Sequence, residues 1–130
     1  MSHFRTETTV TVLPEAGRID ILQPRPDSLF YMLSSGGLIV RSRGIYILSA
    51  NVRSTSRVRL WAEAESIDSH PIQSTTMKLV DGDGLTFGSS CLLLGDASQI
   101  QHPEALLTLW AAADREASLE VEFWINKLGG

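Results

Sequence analysis

His3, His70 and His102 are the first residues to weigh for chemistry, because an imidazole can ligate a metal or act as a general base. They are isolated from one another, and His70 and His102 each precede a proline in a polar stretch, as exposed loop residues do. A zinc site gathers roughly three or four converging ligands, and the chain adds one cysteine to its scattered histidines. That residue, Cys91 in GSSCLLLGD, has apolar neighbours and reads as a small buried side chain. In VDGDGL, Asp81 and Asp83 stand two apart between glycines, as at the start of a calcium loop. The further oxygen ligand and the distal glutamate of such a loop are missing, and Asp-Gly is also a strong signal for a tight hairpin turn. A turn is therefore expected there. Neither GSSC nor LSSGG has the frame of a nucleophile elbow, and DGDGLTFG is not followed by the Lys-Ser/Thr of a phosphate loop. The pairs Glu63/Glu65 and Glu120/Glu122 fall at a spacing of two, which places each pair on one solvated strand face. A glycosidase needs one carboxyl group buried and raised in pKa. The reading is of a protein with no catalytic set, no metal and no cofactor.

Two tryptophans stand out. Trp61 and Trp124 each fall on the strand face that carries the charges, Arg59 and Glu63 around the first and Glu122 beside the second. Large apolar rings on a wet face mark subunit contacts, ordinary packing at a sheet rim, or a platform on which a sugar ring stacks. Together with Tyr46 these residues form the candidate interface or ligand platform.

Positioning such residues requires strands. ETTVTVL at 7–13 and GRIDILQ at 17–23 alternate apolar and polar residues, and the prolines of PRPDS separate them from an apolar run at 29–33. Leu38 to Val40 form a short strand and RSRG a turn. IYILSANVR at 45–53 is a strand that turns Tyr46, Leu48, Ala50 and Val52 inward. STS reads as a turn into RVRLWAEAE, whose Val58, Leu60, Ala62 and Ala64 share a face. LTFGSSCLLLGD resumes strand character after the aspartates. LEVEFWINKL at 119–128 alternates clearly, with Leu119, Val121, Phe123 and Ile125 inward. HPEALLTLWAAADREASLE is ambiguous, since its Pro, Glu, Ala and Leu favour a helix while ALLTLWAAA also fits a buried strand paired with the last one.

The chain has 130 residues, enough for a single domain spanning 1–130. Its longest apolar runs are far short of the roughly 20 residues of a membrane helix, and the first residues lack the apolar stretch of a signal peptide. Synthesis in the cytoplasm and no membrane partner are expected. The net charge is −4 with both signs interspersed, which argues against nucleic acid. The Arg41, Arg43, Arg53, Arg57 and Arg59 group reads as solvated strand edges, with a local anionic partner as the alternative.

Short strands with turn signals about every ten residues suggest an all-β, antiparallel jelly-roll sandwich. GGLIVRSRGIYILSANV, with Gly44, Ile45 and Tyr46, resembles the strand-turn-strand of the tumour necrosis factor-like jelly rolls, which include complement globular heads. GSSCLLLGDASQI, with Leu93, Gly95 and Asp96, resembles that family's strand ending before a turn, and the chain closes on the hydrophobic strand FWINKL. The resemblance spans residues 29–128. It implies a homotrimer with aromatic and aliphatic side chains packed along its axis, of the stand-alone bacterial or phage type. A non-enzymatic structural role follows from it, as a capsid decoration or fibre-head protein whose partners are capsid or other virion proteins. A carbohydrate- or ligand-binding sandwich that uses Trp61 or Trp124 on surface glycans is the alternative.

Overall fold

The computed structural model describes residues 1–27, 30–33, 35–67, 76–94 and 104–129. His70 and His102 lie outside them. The elements are strands throughout: β1 (Ser2–Arg5), β2 (Val10–Val12), β3 (Gly17–Ile19), β4 (Phe30–Met32), β5 (Leu38–Val40), β6 (Gly44–Ser66), β7 (Thr76–Leu94), β8 (Ala105–Ala113) and β9 (Ala117–Gly129). Every pairing is antiparallel, in the order β1-β9-β6-β8-β5-β4, with β2 joining β9, β3 joining β8 and β7 lying along β6.

The 23-residue strand β6 organises the molecule. Its first half pairs with β9, from Ile45 to Ser54, and its second half with β8, from Val58 to Ser66. β7 follows β6 through both halves. The sheet curls so that β1, β2, β9 and the first half of β6 form one layer and the rest of β6, β8, β3, β5 and β4 the other. The result is an all-β antiparallel sandwich of jelly-roll type. Phe4 of β1 packs on Phe30 of β4 with ring centroids 6.3 Å apart, and on Phe123 at 6.0 Å, so the aromatic core joins the layers.

The ambiguous segment is strand β8, and its packing shows why. On the inner face Ala62 sits opposite Leu109 and Ala64 opposite Leu107, while Leu60 faces Ala111 and Val58 faces Ala113. Large and small side chains alternate across the pair, so that facing positions interdigitate. The alanines that favour a helix locally are needed here as the small half of each rung, and tertiary packing overrides propensity.

Two expected turns are bends instead. STS lies within β6 and DGDG within β7. Ser54 pairs with Gly84 and Val58 with Gly82, so β6 carries extra residues opposite Asp83, a bulge that swings both strands from one layer into the other. Gly84 takes φ 68°, which a side chain would resist. A second irregularity leaves Leu79 unpaired between Val80, opposite Leu60, and Lys78, opposite Trp61. Leu79 and Val80 both point into the core in consequence. The first strand, SHFR, has one apolar inward residue and is invisible to alternation.

Cys91 is exposed rather than buried. Leu92 and Leu94 take the inner face of β7, so parity sends Cys91 outward.

Candidate functional site

On the outer face of the first layer, side chains from β1, β9, β6 and β7 line up in rungs. One rung runs His3, Trp124, Ser49, Ser89; the next runs Arg5, Glu122, Asn51, Phe87; a third holds Glu120, Arg53 and Leu85. Over these rungs lies a cleft of about 900 Å³, lined among others by Trp124, His3, Asn51, Arg53, Glu120 and Glu122. Its walls come from the chain after β1 and from the Pro24–Asp27 segment. Local bonding holds both in place. Arg5 and Leu22 exchange backbone hydrogen bonds of 2.9 and 2.8 Å, and the Ser2 hydroxyl donates to Asp27. Thr6 donates its backbone N–H to the Val121 carbonyl at 3.0 Å and accepts from the Val121 N–H through its hydroxyl.

Within the cleft Trp124 is half-buried, and the His3 ring stacks on it at 5.2 Å between centroids and 26° between planes. His3 Nε2 lies 3.0 Å from Glu122 Oε2, and the Thr9 hydroxyl donates to Glu120 Oε1 at 3.0 Å. The floor therefore offers an indole face, with carboxylates, guanidinium groups and the Asn51 amide within a strand spacing or two.

The candidate residues divide between two places. Trp124 and Glu122 lie in the cleft. Trp61, Arg59 and Glu63 lie on the outer face of the second layer, twelve residues further along β6 from Ser49, about 40 Å of extended chain. They serve no common subsite with Trp124. Arg59 is engaged by Asp114 at 2.9 Å, and the neighbouring Arg57 forms a forked pair with Asp81, at 2.8 and 3.1 Å. The Arg57 hydrogen bond holds the Asp81 carboxyl below the usual carboxylate range, and Arg57 is raised in return. Asp81 is thus a salt-bridge partner, and among the described residues no cluster of three His, Cys, Asp or Glu side chains could hold a metal.

Tyr46 has no place on a platform. It is 1% exposed, on the inner face with Leu48 and Ala50, and its hydroxyl donates to the Ser42 carbonyl. Burial pushes its phenol above the ordinary value, and the Ser42 hydrogen bond pulls against that.

Three outward residues escaped the sequence reading. Leu85 and Phe87, 69% and 68% exposed, project from the outer face of β7. Their alternation with Thr86 and Gly88 was a readable signal, but the polar surroundings masked it. Trp110 of β8 stands directly opposite Trp61. It was hidden inside a helix-prone run.

No family model matches the sequence, and no curated protein matches it. Among solved structures, the chain is similar to one described as "CBM4 structure and function", 10% identical over 98% of this chain and 95% of that one, with a TM-score of 0.43. It is similar also to the N-terminal cellulose-binding domain of β-1,4-glucanase C from Cellulomonas fimi, 10% identical over 71% of this chain and 68% of that one, with a TM-score of 0.39.

Proposed function

We propose that the protein is a non-catalytic carbohydrate-binding sandwich whose ligand lies in the cleft over Trp124. The observation that carries this is the cleft floor: a half-buried indole open to a groove whose other walls are hydrogen-bonding side chains. A sugar has apolar C–H faces and a rim of hydroxyls that both donate and accept. Trp124 offers the stacking surface. Asn51, Glu120 and Glu122 supply acceptors, and Arg53, Arg5 and Asn51 supply donors. Loop walls pinned by the Arg5–Leu22 bonds reduce the ordering cost of binding. A screen of soluble oligosaccharides by tryptophan fluorescence tests this. A glycan that shifts the emission of the intact protein and not of Trp124→Ala is the expected result, and silence across the panel sinks the reading.

A second reading is self-association. Leu85 and Phe87 are large apolar side chains side by side on β7, which among the described residues pairs only with β6. Exposed apolar groups on an open sheet edge favour a second copy. The tumour necrosis factor-like homotrimer and its virion role belong to this reading. A solution mass of one chain that Leu85→Ser and Phe87→Ser leave unaltered would remove it.

A further inference from the structure

On the outer face of the second layer one rung crosses four strands: Lys78 of β7, Trp61 of β6, Trp110 of β8 and Arg18 of β3. Both indoles are half-buried, and Lys78 and Arg18 are exposed at the ends. Neighbouring strands are about 4.8 Å apart, so the rung is about 14 Å long and each step is close to the length of one pyranose unit. Two of its members are held in position. The Trp110 indole N–H donates to the Thr108 hydroxyl at 2.9 Å, and Arg18 donates to the Ser35 carbonyl at 2.6 Å. Glu63, in the next rung opposite Thr108, adds an acceptor beside the aromatic pair.

We infer that this rung is a second glycan platform, taking a neutral polysaccharide chain laid across the strands. The mixture of groups chooses the ligand. Donors at both ends and a carboxylate alongside match hydroxyls, and the indole pair between them offers an apolar face to the C–H groups of a sugar ring rather than a partner for charge. The size of the patch chooses it too. A stable protein interface buries about 800 Å² per partner, and a pair of half-buried indoles offers a fraction of that. The inference extends the carbohydrate reading to a separate surface. The bend of β6 sets the rung apart from the cleft, on the outer face of the other layer, so the two surfaces take their ligands independently.

The test is depletion of the full-length protein from solution by insoluble cellulose, xylan and chitin, at low and high salt. Trp61→Ala/Trp110→Ala is compared with Trp124→Ala, and Lys78→Ala serves as an exposed-site variant that leaves the core intact. The expected result is salt-resistant depletion that falls about tenfold in the double variant and about threefold in Lys78→Ala, as for truncation of aromatic and polar contacts. Binding of soluble oligosaccharide through Trp124 should be unchanged in both. If depletion is the same in the double variant and Lys78→Ala, collapses with salt, is abolished by Trp124→Ala alone, or occurs with none of the three polysaccharides, the platform is refuted. Depletion that depends on Trp61 and Trp110 in a protein that ignores soluble oligosaccharides would refute the cleft and leave the platform standing.

Discussion

Tyr46→Phe keeps the ring in the core and removes only the hydroxyl that meets Ser42. Because burial raises the folded phenol, the unfolded chain releases its proton first, near pH 10. The stability that Tyr46 contributes is therefore present below about pH 10 and is lost as pH climbs through the folded value. Urea midpoints of the wild type should fall across that window, and Tyr46→Phe should flatten the fall. Asp81 behaves oppositely. Its carboxyl is lowered by Arg57, so whatever the pair contributes is present above about pH 4 and disappears toward acid. Both side chains are solvent-exposed, and Asp81→Asn should change the midpoint at neutral pH very little. At this scale the sequence was informative about facing. Trp61 and Trp124 lie on charged outer faces as their parity predicted, and Tyr46 points inward as its strand pattern predicted despite its place in the candidate platform.

At the scale of elements, the bulge at Leu79 brings a carbonyl against Gly88. Any side chain at Gly88 would run into the Leu79 carbonyl oxygen, an overlap with backbone that no rotamer relieves. Gly88→Ala should cost about 3 kcal/mol or more, at or beyond the upper end of overpacking, and a loss of soluble folded protein is the extreme outcome. Gly88→Ala with a wild-type melting temperature would contradict the close approach of the two segments. Phe123→Ala, in the core between Phe4 and Ala50, should cost about 3–5 kcal/mol. Strand boundaries show where local reading stops. LEVEFWINKL declared itself through clean alternation. DGDG and STS carry turn chemistry, yet the long-range pairing of β6 with β7 converts both into one bend. Nothing local distinguishes a glycine that closes a hairpin from one that lets a paired strand change layer.

For the whole molecule, the all-β sandwich was legible because alternation recurs along much of the chain. The cleft was not, since it needs β1, β9, β6 and the Pro24–Asp27 segment brought together from distant parts of the sequence. His3 and Glu122, 119 residues apart, meet only in the folded protein. The two tryptophans that looked like one site belong to two faces because a single strand spans both layers. The central claim is that the Trp124 cleft binds carbohydrate, and calorimetric titration with the best soluble oligosaccharide tests it most directly, run on the wild type, Trp124→Ala and Glu122→Gln. The account predicts saturable binding in the wild type, a loss of about tenfold or more in Trp124→Ala and a smaller loss in Glu122→Gln, with thermal stability retained. Equal affinity in all three proteins would contradict it.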